Sequence, residues 1–247
     1  MKKIHSVALA TVALAATAGA ARADLNISGA VGLPLNPTAQ IPAQGGARVQ
    51  ANYYDFGDST SEYGLFGAVR VGERIEVNGG VNRLDGNNSD VSRTGFAIGG
   101  KYLITRESSN AGVRLAIGAG YDRALLKNAN VYVVGTKYLG ALGGDRFPIT
   151  AHLGVRYDNY HLGSGFGSSN KASVFAGVEV PFTRTGDLQF VGELGSRTID
   201  GGSTPYSAGV RYRPAGRPFG ATVGIADQGF TGNNRVFAQI GYTFNTK

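Results

Sequence analysis

The sequence predicts an all-β protein, a transmembrane antiparallel up-and-down β-barrel of about 12 strands, and three observations carry that prediction. Segments of roughly ten residues alternate apolar with polar or glycine positions along most of the chain. Val113, Leu115, Ile117, Ala119 and Tyr121 alternate with Gly112, Arg114, Gly118, Gly120 and Asp122, and Val236, Ala238, Ile240, Tyr242 and Phe244 with Gln239, Gly241 and Thr243. Successive strand side chains point to opposite faces, so each segment has one apolar and one wet face. Charged residues in the assigned strands fall opposite the apolar stripe, as a lipid-facing wall requires: one Arg or Lys at the bilayer midplane costs about 2–4 kcal/mol. Finally, 247 residues at 42% hydrophobic and a mean hydropathy of −0.09 are too polar for a helical bundle yet sufficient for one large domain.

Taken in order, the chain opens with Lys2 and Lys3, an apolar run from Val7 to Ala18, and Ala21-Arg22-Ala23. Residues 1–23 read as a cleavable signal peptide cut before Asp24. Its removal takes the formal charge from +7 to about +4. With no cysteine in the chain, a lipidated cysteine, disulfides and thiolate metal sites are excluded. The basic residues are scattered singly, which argues against nucleic acid. Residues 24–46 break the pattern: Leu25 to Val31 suits one short strand, but Pro34, Pro37 and Pro42 interrupt any continuation of it. The segment reads as a periplasmic lead-in or, more sharply, as a plug folded into the lumen.

The barrel itself is placed at residues 47–247. Its predicted strands are centred on Arg48 to Tyr54, Tyr63 to Val71, Ile75 to Arg83, Gly95 to Leu103, Gly112 to Asp122 and Val131 to Tyr138. The second six are centred on Ile149 to Tyr157, Lys171 to Phe182, Leu188 to Arg197, Tyr206 to Arg213, Phe219 to Gln228 and Val236 to Phe244. An even count puts both ends on one side. Compact links such as Gly72-Glu73-Arg74 and Pro214 to Pro218 then fall on the periplasmic rim, and longer polar stretches such as Leu84 to Thr94 and Asp158 to Asn170 on the outer one. Aromatic girdles are expected at both interfaces. The outer rim receives Tyr53, Tyr63, Tyr121, Tyr132, Tyr157 and Tyr206, and the inner rim Tyr102, Tyr138, Phe182, Tyr212, Tyr242 and Phe244. A soluble barrel also alternates, but buries its apolar face inward.

In the last strand, Gln239-Ile240-Gly241-Tyr242-Thr243-Phe244 resembles the C-terminal signature of Gram-negative outer-membrane β-barrel proteins, although Asn245, Thr246 and Lys247 follow the aromatic. That resemblance implies outer-membrane lipid as the surroundings and the barrel-assembly machinery as a partner engaging the C-terminal strand. The run from Gly32 to Ala39, with Pro42 and Gly45-Gly46, is loosely similar to the segment before the first strand in barrels associated with exopolysaccharide export.

A search for chemistry finds His152 followed two residues later by Gly154 and His161 by Gly163. Neither has the local serine partner of lipid-modifying barrels. No His/Asp/Glu cluster has metal-ligand spacing, Asp85 with Asn87, Asn88 and Asp90 suiting a solvated loop better than a calcium site. The chain is therefore read as a non-enzyme without cofactor or metal. Parity assigns Arg48, Arg70, Lys101, Arg114, Lys137, Arg156, Lys171, Arg197, Arg211 and Arg213 to the lumen, against Glu76, Asp122, Glu179 and Glu193. Arg48, Arg70, Lys101, Arg114, Lys137, Arg211 and Arg213 fall in the periplasmic half, with Glu76 and Glu179 as counter-charges. One sign of charge in a water-filled lumen concentrates counter-ions. The functional expectation is a porin-like channel for small, preferentially anionic solutes. The alternative is a non-conducting structural or interaction barrel, or a partner in polysaccharide export.

Overall fold

In a computed structural model the chain forms one closed barrel. The structure describes residues 24–245 except residues 44, 58–59, 87–91, 106–111, 124–126, 142–147, 162–167, 184, 200 and 230–234. The predicted signal peptide, the Asn87, Asn88 and Asp90 cluster, and Thr246 and Lys247 lie outside the described residues. The strands are β1 (Gly46–Gly57), β2 (Thr60–Val71), β3 (Ile75–Asp85), β4 (Arg93–Leu103), β5 (Arg114–Arg123), β6 (Lys127–Ala141), β7 (Pro148–His161), β8 (Ser168–Pro181), β9 (Leu188–Gly195), β10 (Tyr206–Tyr212), β11 (Phe219–Asp227) and β12 (Arg235–Asn245). Each pairs antiparallel with its neighbours in sequence, and β1 closes on β12 in the register Arg48↔Thr243, Gln50↔Gly241 and Asn52↔Gln239. Closure leaves no unpaired sheet edge, the condition for a sheet to stand in hydrocarbon.

The alternation sorts side chains as that closure demands. Leu65 is 54% exposed, Ile98 57% and Ile240 62%, all on the outer face. So much apolar surface is at home only in lipid. Aromatic rings gather at both rims: Tyr53 packs on Tyr63 (5.3 Å between centroids) and Phe96 on Tyr121 (5.8 Å) away from the termini, Tyr212 on Phe219 (6.2 Å) and Tyr242 on Phe244 (4.7 Å) beside them. Tyr102 and Phe182 are exposed towards the terminal rim, Tyr157 towards the far rim, where Tyr206 is half-buried. The apolar wall and the two aromatic rims are those of a membrane-spanning barrel.

Three sequence expectations change. β6 has the opposite parity from that expected: Val131 and Val133 face lipid, while Tyr132 and Val134 are buried inside. The unbroken run Val131-Tyr132-Val133-Val134 carries no period, so either face suits it. Tyr132 and Tyr138 therefore leave the girdle, Tyr138 standing in register with Thr150 and Glu179 on the lumen face, and Lys137 leaves the lumen for the outer face at the terminal rim, where its ammonium reaches the headgroup level. Arg83 is likewise exposed on the outer face, at the far rim, with its Nε 2.7 Å from the Asp85 carboxylate. The connections also do not sort by length: residues 72–74, 104–113, 142–147, 182–187 and 213–218 join strands at the terminal rim, residues 58–59, 86–92, 124–126, 162–167, 196–205 and 228–234 at the other. The pairs β1–β2, β5–β6 and β7–β8 extend further outward than the alternation alone marks, and so shorten the outer loops. The tight turn after β2 depends on Gly72, whose φ of 64° is in the left-handed region.

Residues 24–43 form no strand of the barrel. They fold into a compact unit closed by the bridges Leu25↔Val31 and Gly32↔Pro37, inside the lumen. All three interior apolar clusters combine this unit with the wall. Leu25 and Val31 pack with Phe66, Ala68 and Ala97; Ala39 with Leu103, Ala116, Tyr132, Val134 and Phe175; Leu35 with Tyr54, Ala226 and Phe237. Burying one such aliphatic side chain is worth about 1.5–3 kcal/mol.

Candidate functional site: the plugged lumen

The site consists of the inward faces of the strands and the segment they enclose. Its most charged part lies towards the terminal rim, where Arg48 on β1, Arg211 on β10 and Arg213 just beyond β10 converge on the Asp24 carboxylate. Arg213 Nε donates to Asp24 Oδ2 at 3.0 Å and its Nη2 lies 2.7 Å from the same oxygen. Arg48 and Arg211 reach Asp24 directly, and Arg48 Nη1 also donates to Thr243 Oγ1 (2.9 Å). Local sequence makes room for these forks. Gly220 and Gly241 are register partners on β11 and β12, and a Cβ on Gly241 would come within 2.4 Å of Arg48 Nη2. Burial raises the Asp24 pKa, but Arg211, Arg213 and Arg48 together prevail and hold it well below the usual carboxylate range.

Further ties secure the segment around its circumference. Lys101 Nζ lies 3.0 Å from Glu76 Oε2 and donates to the carbonyls of Val31 (3.0 Å) and Thr38 (2.9 Å). Glu76 accepts the Val31 amide (3.0 Å). Glu193 accepts the amides of Leu35 (2.7 Å) and Asn36 (3.0 Å), the Asn36 side chain (2.9 Å) and the Ser207 hydroxyl (2.6 Å). Gln50 holds Leu25 through both its amide and its carbonyl. The segment's backbone is satisfied partly from within, as by the amides of Asn26, Ile27 and Thr38 on its own carbonyls, and partly by the barrel's side chains, which accept the amides of Leu25, Val31, Leu35, Asn36 and Ala39.

Thr136, His152 and Glu179 form a hydroxyl, imidazole and carboxylate string across β6, β7 and β8. Thr136 Oγ1 is 2.9 Å from His152 Nδ1, and His152 Nε2 is 3.5 Å from Glu179 Oε1. The order is that of a nucleophile, a base and an orienting acid. Here, however, Thr136 accepts the Ala39 amide (2.9 Å), Glu179 faces Arg211 (3.3 Å), and all three residues are buried behind the segment. The string fastens residues 24–43 to the wall.

Towards the far rim the lumen opens into a polar vestibule with a cavity volume of about 100 Å³. Ser28, Leu35 and Asn36 of the segment form its floor, and Glu62, Asp122, Asn128, Asn130, Tyr160 and Thr198 stand among its walls. Arg156 bridges the two zones, with its Nε 2.8 Å from Asp158 Oδ2 and its Nη1 donating to Asn36 Oδ1 at 3.2 Å.

Of the sequence-predicted lumen residues, Arg48, Arg211 and Arg213 come together, Lys101 meets Glu76, and Glu179 and Glu193 take up separate partners. Arg114 is half-buried at the terminal rim. Arg70 spans the same rim, donating to the carbonyls of Gly72 (3.3 Å), Glu73 and Pro42 (3.4 Å). Asp24, Gln50, Thr136, Asn36 and Glu62 went unnoticed in the sequence. The one pointer to Asp24 was the excess of inward basic over acidic residues, which demands a counter-charge from outside the strands.

No protein-family profile matches this sequence, and none of the curated proteins does. Among solved structures, a KdgM porin in complex with disordered oligogalacturonate is 13% identical over 80% of this chain and 99% of its own, with a TM-score of 0.56. A NanC porin is 13% identical over 81% and 100% (TM-score 0.53), and a KdgM porin 12% identical over 82% and 99% (TM-score 0.51). The chain has the twelve-stranded barrel fold of these outer-membrane porins.

Proposed function

We propose that the protein is a porin-like outer-membrane channel whose lumen is closed by its own residues 24–43 and passes small solutes when that segment withdraws. One observation carries this reading: among the described residues the segment is bound to the wall by buried ion pairs, hydrogen bonds and side-chain packing and pairs with no barrel strand, so its departure breaks no ladder of the closed sheet. A polar, glycine-rich wall and the open vestibule support the same view. With the segment seated, Asp24 offsets the arginine ring. With it withdrawn, Arg48, Arg211 and Arg213 face Glu179 across water, and the lumen acquires the positive sign that concentrates anions.

Liposomes containing the full chain or a variant lacking residues 24–43 test this in an osmotic swelling assay. The deletion variant should admit small solutes much faster than the full chain. Under a KCl gradient it should be anion-selective, and less so when Arg211 and Arg213 are neutralised. Cation selectivity unaffected by those substitutions defeats the filter. The extensive burial of the segment favours a second reading, a non-conducting interaction barrel, for which neither form admits solute.

A further inference from the structure

The arginine ring is built by the wall, yet its occupant belongs to a separate segment. Arg48 and Arg211 come from β1 and β10, Arg213 follows β10, and Thr222 and Thr243 on β11 and β12 stand between them, Arg211 Nε donating to Thr222 Oγ1 at 3.3 Å. All five side chains are buried. Gly220 and Gly241 keep the space around the guanidinium forks clear. Withdrawal of Asp24 with its segment leaves three guanidinium groups facing the lumen water against Glu179. A cluster of one sign within a low-dielectric wall concentrates counter-ions, so the open barrel favours refilling the ring with an anion. A planar carboxylate suits guanidinium forks best, and Asp24 shows that one fits.

We propose that this ring binds the carboxylate group of a small solute in the open state, and that Asp24 is its tethered competitor, so that carboxylate solutes favour release of residues 24–43. The proposal rests on the reading that the segment can leave the lumen. A ligand that binds only the released state shifts the balance towards it in proportion to its occupancy. Tethering gives Asp24 a high effective concentration, so a simple carboxylate competes only at high concentration.

The absence of native cysteine makes a direct test available. Thr38 is fully buried beside Lys101, and Thr38→Cys supplies a single thiol that a membrane-impermeant maleimide reaches only once the segment has left, whether or not the barrel conducts. Sodium acetate should accelerate labelling saturably, by about tenfold over sodium chloride at equal ionic strength, the scale of a charge-assisted hydrogen bond exchanged between partners. Asp24→Asn should label in chloride as fast as the parent does in acetate. Arg211→Gln, or Arg48→Gln if the former does not assemble, should lose the acetate response. Equal rates in acetate and chloride, an Asp24→Asn variant labelled at the parent rate, or an intact acetate response in both arginine variants each overturns the proposal. Acetate-dependent labelling in a barrel that never conducts defeats the channel reading and leaves the carboxylate site standing.

Discussion

The two halves of the lumen are lined by the same strands with the same alternation, and they end up in opposite states. Near the termini, Arg48, Lys101, Arg211 and Arg213 are buried and paired with Asp24, Glu76 and Glu179. Towards the far rim, Glu62, Asp122, Asn128 and Asn130 border open space. The strands alone do not create this difference, since both halves carry polar and small residues inward. Residues 24–43 create it by occupying one half and stopping at Ser28 and Asn36. A barrel of intermediate width leaves interior space; here a short proline-containing segment packs against the wall's apolar residues and supplies a counter-charge.

If closure resides in the terminal half, substitutions there should have the largest effects. Arg211→Ala takes from Glu179 its guanidinium partner and leaves Asp24 to Arg48 and Arg213, and should cost about 1.5–3 kcal/mol, read from urea unfolding in lipid. Glu193→Ala leaves the amides of Leu35 and Asn36 and the Ser207 hydroxyl without their acceptor, a loss of about 1–3 kcal/mol expected to speed Thr38→Cys labelling. Gly177→Ala places a Cβ 2.2 Å from Leu33 Cδ1 and 2.9 Å from the Gly192 carbonyl, so crowding should also loosen the segment, by about 1 kcal/mol or more. In the vestibule, Ser28→Ala should change labelling by less than the equivalent of about 0.5 kcal/mol. A Ser28 effect as large as that of Glu193 would erase the distinction between the halves.

Acidity sharpens the same comparison. Because the Asp24 pKa is lowered on folding, its contribution is fully present above the ordinary carboxylate range and is lost as pH falls from there through the depressed value. The labelling difference between the parent and Asp24→Asn should therefore stay constant from pH 7 down to about pH 5 and shrink below it. A difference that shrinks within that window would place Asp24 outside the ring.

The barrel was legible because lipid imposes a period-two code on every strand, and where residues obey it, as from Val113 to Asp122, parity follows directly. Where Val131 to Val134 run unbroken the code is silent, and Tyr132 and Lys137 came out on the wrong faces. Arg48, Lys101, Arg211 and Arg213 were visible as inward cations because strands fix direction. Glu76 and Glu179 were visible as counter-charges for the same reason, but Asp24 was not, since it is far from Arg211 in sequence and lies in a segment without period, its place decided by side-chain contacts across the lumen. Loop length was misleading for a different reason: strands beyond the membrane need no apolar face, and β7 and β8 continue pairing through Tyr160↔Ser169 with no alternation to mark them.

The central claim is that residues 24–43 close a channel that the strands form without them. Single-channel recording in planar bilayers tests it most directly, comparing the full chain with the variant lacking that segment. The account predicts brief, infrequent openings from the full chain and a sustained, larger conductance from the deletion variant. Equal currents from both, or none from a deletion variant that has assembled as a barrel, would contradict it.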